Sequence, residues 1–223
     1  MNSMPRTYAI GDIHGCLDKL ERLVERCRSD DTDASARFVF LGDLIDRGPD
    51  SRGVVEYLMD FQRRHPDRAI CLCGNHEDMA LHAIDDPSQA AQWVIRNGGR
   101  QALASYGVST PGELPPDHVA WIRALPTHHD DGLRFFVHAG IDPSRPLNFQ
   151  DRHDLLWMRE PFLSDPRDFG RFIVHGHTPL KDGKPDLRTN RVNVDTAAVL
   201  GGPLTAAVFE DGRREPVGFL QEI

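Results

Sequence analysis

The stretch RFVFLGDLIDRGPDS, residues 37–51, decides how this chain folds. Residues 37–41 are aromatic and branched apolar side chains behind a single arginine, the pattern of a buried strand. The segment GDLIDRGPDS ends that strand, and a helix follows near 51–64 with Val54, Leu58 and Phe61 on one side. The same order recurs on either side. A strand at 7–10 leads through Gly11 into a helix near 16–28, where Leu17, Leu20, Leu23, Val24 and Cys27 recur at helical spacing. A strand at 69–73 runs into GNHE and a helix near 77–85. Strands alternating with helices imply right-handed crossovers and a largely parallel sheet. Ligands of open α/β sheets gather outside the carboxyl ends of the strands.

The middle of the chain, roughly 77–126, is expected to be helix-rich and to lie beside the cleft. From residue 128 onward strands dominate: LRFFVHAG, RFIVHGH, RVNVDTAAV, LTAAVFED and REPVGFLQE. These are expected to form a second sheet packed on the first. The expected fold is therefore α/β in four layers, two packed mixed sheets flanked by helices, in one domain spanning 1–223.

Five short segments carry the chemistry: GDIHG at 11–15, GDLIDRG at 42–48, GNHE at 74–77, HAG at 138–140 and HGHT at 175–178. Each follows an apolar run. Together they supply Asp12, His14, Asp43, Asn75, His138 and His177, all oxygen or nitrogen donors. Asp12 and His14 alternate at a strand end and can reach one ion. Asp43 can bridge two ions through its two carboxylate oxygens, while Asn75, His138 and His177 complete the second. A donor set without thiolate suits two divalent ions in open geometry: manganese first, with iron, zinc or cobalt as alternatives. Two such ions clamp the oxygens of an in-line displacement at phosphorus, so a phosphoester is the expected substrate.

The bulk properties set limits. At 223 residues the chain is long enough for one substantial core. A formal net charge of −8 argues against a nucleic-acid partner but not against a phosphorylated substrate, since bound ions invert the local field. No apolar run approaches a membrane span, and the opening MNSMPRTYAI does not read as a signal peptide, so the cytoplasm is the expected compartment. Cys16, Cys27, Cys71 and Cys73 are expected to be buried, reduced thiols. Loops 141–153 and 179–190 are expected to be exposed. Oligomeric state has no signature in the sequence.

These motifs resemble the metallophosphoesterases, specifically the phosphoprotein phosphatase branch, and most closely the short bacterial and bacteriophage serine/threonine phosphatases. The resemblance runs from Tyr8 to about Phe209 and takes in NGG at 97–99, LLWMRE at 155–160 and VNVDTAAVLGGPLTA at 192–206. It implies that Asp12, His14 and Asp43 hold one ion and that Asp43, Asn75, His138 and His177 hold the other. It implies in-line attack on phosphorus by a hydroxide bridging the ions. His76 would then be the general acid that protonates the leaving oxygen, with Asp46 orienting it and Arg47 and Arg159 clamping phosphate. Such an enzyme would hydrolyse phosphoserine and phosphothreonine residues in proteins, with phosphotyrosine as an extension of that range, or a small phosphoester.

Trp157 is expected to pack beneath Arg159, His175 to support His177, Asp195 to be structural, and His128 and His129 to be ordinary surface residues. Ala139 departs from the glycine common in eukaryotic members. The rival within the superfamily is the symmetrical diadenosine tetraphosphatase, whose second motif typically carries alanine at the position of Asp46 and whose third ends in aspartate at that of Glu77. A catalytically silent phosphoprotein-binding module is the alternative from another class. It would have lost a ligand or the acid, and none of these positions is substituted.

Overall fold

The computed structural model describes residues 6–31 and 35–223; residues 1–5, part of the stretch read for a leader, lie outside the described residues. The first sheet is built from β1 (Arg6–Ile10), β2 (Arg37–Phe40), β3 (Ala69–Cys71), β9 (Leu204–Glu210) and β10 (Gly218–Glu222), in the order β10-β9-β1-β2-β3. The second joins β4 (His128–Asp130), β5 (Arg134–Val137), β6 (Phe172–His175), β7 (Asp186–Leu187) and β8 (Arg191–Asn193), in the order β4-β5-β6-β8-β7. Pairings β1–β2, β2–β3, β5–β6 and β6–β8 are parallel, and β1–β9, β9–β10, β4–β5 and β7–β8 antiparallel. Both sheets are mixed, as expected. The assignment of LTAAVFED and REPVGFLQE to the second sheet is corrected: β9 lies antiparallel beside β1, and β10 beside β9, so the chain's end returns to the first sheet.

Strand alternation sorts the core. Ala9, Val39, Leu41, Ala207 and Phe209 face Phe136, Phe172, Val174 and Val192 in the layer between the sheets. Their strand neighbours Tyr8, Ile10, Phe38 and Phe40 point the other way, onto α1 (Leu17–Asp30) and α2 (Ser51–Arg64). On the far side, Phe135, Val137 and Ile173 pack with Leu155 of α6 (Arg152–Trp157) and with Phe162. The region read as helix-rich holds α3 (Asn75–Asp85), a π-helical turn over Gln92–Arg96, α4 (Gly99–Tyr106) and α5 (Pro116–Arg123). All four cysteines are free and buried. Among the described residues no helix is long and apolar enough to cross a membrane.

The topology fixes where chemistry can occur. Asp12, Asp43 and Asn75 follow β1, β2 and β3, and His138, His177 and Asp195 follow β5, β6 and β8. These are the carboxyl ends of the parallel strands of both sheets, brought together at one edge of the sandwich.

Candidate active site

The loops at that edge are tightly constrained. Among the described residues, six non-glycine residues adopt positive φ, and five of them are His14, Asp43, Asp46, Arg47 and His177. Such left-handed backbone is sparsely populated by ordinary residues and persists where surrounding structure enforces it, typically at functional sites. Close approach of the β2 and β3 termini explains Gly42: its φ is +90°, and a Cβ there would lie 2.6 Å from the Gly74 nitrogen.

Helix α3 begins at Asn75, two residues earlier than expected, so Asn75, His76 and Glu77 form its first turn. Asp43 Oδ1 accepts the His76 amide at 3.0 Å, placing a carboxylate on the positive end of the helix. Glu77 is fully buried and ties the turn to the second motif. Its Oε2 accepts the amides of Asp43 (2.9 Å) and Gly74 (2.8 Å), and its Oε1 those of Leu44 (2.8 Å) and Ile45 (3.2 Å). Burial, and then the charge of Asp43, raise the Glu77 carboxyl to about 7 against the pull of those donors.

The histidine tautomers follow from backbone contacts. His14 Nδ1 donates to the Ile45 carbonyl at 2.8 Å and His138 Nδ1 to the Leu41 carbonyl at 2.9 Å. Each Nε2 is thereby left with a lone pair aimed into the site. Burial lowers His14 and His177 to about 3, and lowers His138, so these rings are neutral and able to ligate at neutral pH.

The lone pairs converge. His138 Nε2 lies 2.8 Å from Asn75 Oδ1, 3.2 Å from His177 Nδ1 and 3.3 Å from Asp43 Oδ1. His177 Nδ1 is also 2.9 Å from Asn75 Oδ1. Because the one proton on His138 is already given to Leu41, its Nε2 has nothing to donate to Asn75 Oδ1 or Asp43 Oδ1. Lone pairs gathered in this way suit a divalent cation. Among the described residues, two groups of histidine and aspartate have the spacing to hold a metal: Asp43, His138 and His177 in one, and His14, Asp43 and His76 in the other. Asp43 belongs to both, with Oδ2 3.4 Å from His14 Nε2.

Two placements differ from expectation. Asp12 is buried but falls in neither group; its carboxylate accepts the His177 amide at 3.1 and 3.2 Å. His175 does not share the face of His177. Strand β6 ends at His175 and the chain turns through the left-handed His177, which breaks the two-residue alternation. His175 instead packs edge-on against Phe162, with Nε2 3.4 Å from Arg191.

His76 turns its Nδ1 to Asp46 at 2.7 Å and leaves Nε2 toward Asp43, 3.9 Å from Oδ2. Burial opposes charge on His76, but Asp43 and Asp46 outweigh it and raise the imidazole above its ordinary value. Asp46 is fully buried, and its Oδ2 also accepts the indole N–H of Trp93 at 2.7 Å. Trp93 carries no motif, and only its place in the fold reveals the contact.

Arg47 is exposed at the mouth, its Nη1 2.8 Å from His14 Nε2. That lone pair serves either the guanidinium or a metal. Arg159 is exposed, makes no ion pair among the described residues, and lowers His177 through its charge, after burial and His138. Glu160 takes the Ser164 hydroxyl instead. Trp157 is partly exposed and meets the His177 ring edge-on at 6.0 Å. Asp195 is buried, and burial raises it to about 6. His128 and His129 stack on Phe135 and Phe136, away from the site.

Comparison with known proteins agrees with this geometry. The chain is 31% identical over 208 residues to serine/threonine-protein phosphatase 1 of Salmonella typhimurium, a match covering 90% of each. It is 34% identical over 171 residues to the symmetrical bis(5'-nucleosyl)-tetraphosphatase of Dechloromonas aromatica, covering 76% of this chain and 55% of that enzyme. A solved structure provisionally described as a diadenosine tetraphosphatase superposes with a TM-score of 0.74 at 25% identity, covering 99% of this chain and 94% of that one. The pattern of the calcineurin-like phosphoesterases matches residues 5–203, and the chain belongs to that family.

Proposed function

We propose that the chain hydrolyses phosphomonoesters of serine and threonine side chains in proteins, with two divalent ions, manganese first, held by Asp12, His14, Asp43, Asn75, His138 and His177. When bound, such ions polarise phosphoryl oxygens and lower the pKa of water in the site. The observation that carries the proposal is the 2.7 Å contact of His76 with the buried Asp46. An alkoxide leaves slowly without a proton, and a positioned acid contributes roughly 10²–10⁴-fold. His76 Nε2–H gives its proton to the seryl or threonyl oxygen as the P–O bond breaks, while Nδ1–H stays on Asp46. Arg47 and Arg159 meet the phosphate oxygens from the open side of the site.

A nucleotide hydrolase is the second reading, favoured by the Dechloromonas aromatica match. The presence of Asp46 and Glu77, each bonded as described, supports the phosphatase. Metal-stripped protein resupplied with manganese should turn over a phosphoserine peptide with higher kcat/KM than diadenosine tetraphosphate. A preference for the dinucleotide would transfer the chain to the nucleotide hydrolases. A phosphotyrosine peptide assayed beside them defines breadth.

A further inference from the structure

The segment WVIRNGG, residues 93–99, is built against the dipeptide Asp46–Arg47. Trp93 is almost wholly buried on the π-helical turn Gln92–Arg96, a helix irregularity that recurs at functional sites. Its Nε1–H reaches Asp46 Oδ2, the same oxygen that accepts His76 Nδ1, both at 2.7 Å. Asp46 Oδ1 makes no hydrogen bond, so these two contacts are all that orient the carboxylate. Beside it, the Gly98 carbonyl accepts the Arg47 amide at 3.2 Å. Gly98 has φ +91°, and a Cβ there would lie 2.6 Å from the Arg47 nitrogen. A Cβ on Gly99 would lie 2.6 Å from the Trp93 ring, so the indole seats only over glycine.

We propose that Trp93 is a positioning residue for proton donation: its indole N–H locks Asp46, which in turn holds His76 with Nε2 aimed at the leaving-group oxygen. This deepens the function proposed above and rests on His76 being the general acid. Packing alone would need the ring, not its nitrogen. The bond joins an N–H to a buried carboxylate, the stronger class of hydrogen bond. Without it the carboxylate keeps one contact and can rotate, and the imidazole loses its fixed direction.

The test is a double-mutant cycle on the manganese-loaded enzyme, with an alkyl phosphomonoester and p-nitrophenyl phosphate as substrates. Trp93→Phe keeps an aromatic ring and removes the donor. It is expected to lower kcat on the alkyl ester by roughly ten- to a hundredfold, a share of what the acid supplies, and to change p-nitrophenyl phosphate turnover less than about twofold. On a His76→Asn background the same change should have no further effect on either substrate. Equal losses on both substrates, or losses that add to those of His76→Asn, would overturn the proposal and leave Trp93 a packing residue. If His76→Asn itself slows both substrates equally, the general-acid reading fails first, and that failure is visible without Trp93. Should Trp93→Phe not fold, benzothienylalanine at position 93 places sulfur where the N–H was at nearly constant shape. It must show the same leaving-group selectivity, and wild-type rates on the alkyl ester would overturn the proposal.

Discussion

Replacing Glu77 with Gln should weaken this protein far more than so conservative a change suggests. The carboxylate is fully buried and accepts four backbone amides, from Asp43, Leu44, Ile45 and Gly74, at 2.8–3.2 Å. An amide side chain keeps one acceptor oxygen and turns an NH2 toward the other pair of N–H groups. Two buried donors are then stranded against a third. At about 1–3 kcal/mol for each buried donor left unpaired, the expected loss is about 2–6 kcal/mol. Against a typical total stability of about 5–15 kcal/mol, that is a large share. Urea unfolding of the metal-free protein at pH 8, above the raised value of about 7 for Glu77, measures it directly. Hydrogen exchange should accelerate in parallel at the pair of amides that comes to face the new NH2, either Leu44 and Ile45 or Asp43 and Gly74, because that pair loses its acceptor. A loss below about 1 kcal/mol with unchanged exchange would refute the claim that Glu77 holds the second motif to α3.

Three further outcomes follow from the site. Asp43→Asn removes the charge of the residue shared by both metal-spaced groups, so elemental analysis should show both ions lost or weakened together; unchanged metal content would exclude a bridging role. Arg159→Ala removes an exposed cation from the mouth and should lower kcat/KM on a phosphopeptide about tenfold, chiefly through KM, at the low end for a charge-assisted contact. His175 is lowered to about 3 by burial and then by Arg191, from an ordinary 6.5. A base depressed in the folded state contributes stability above its unfolded value and loses it as pH falls toward the folded one. His175→Asn should therefore flatten the metal-free protein's loss of stability between about pH 6.5 and 3, by up to about 1.4 kcal/mol per pH unit.

What the sequence revealed and what it hid divides along the range of the forces involved. The strand–Gly order of the first three motifs, followed by Asp, Asp and Asn, is local, and it correctly placed Asp12, Asp43 and Asn75 at parallel strand ends. Helix α2 was legible to its boundaries because its apolar spacing and the Asp50 cap, which accepts the Gly53 amide, agree. Strands β9 and β10 were assigned to the wrong sheet because alternating apolar residues show that a strand is buried, not which edge it joins. The His175 and His177 pair misled because alternation holds only while the backbone stays extended, and His177 does not. Trp93 was invisible: it lies 47 residues from Asp46, and nothing local announces that its N–H needs a buried acceptor.

The measurement that bears most directly on the site is the anomalous scattering of crystals grown with manganese. Two peaks are expected, one among Asp43, Asn75, His138 and His177 and one at Asp12, His14 and Asp43, with His76 coordinating neither and still bonded to Asp46. His76 lies close enough to His14 and Asp43 to be an alternative ligand, so the experiment discriminates. A single peak would contradict the dinuclear site, and manganese coordinated by His76 would contradict the proton donor on which the proposed phosphatase chemistry depends.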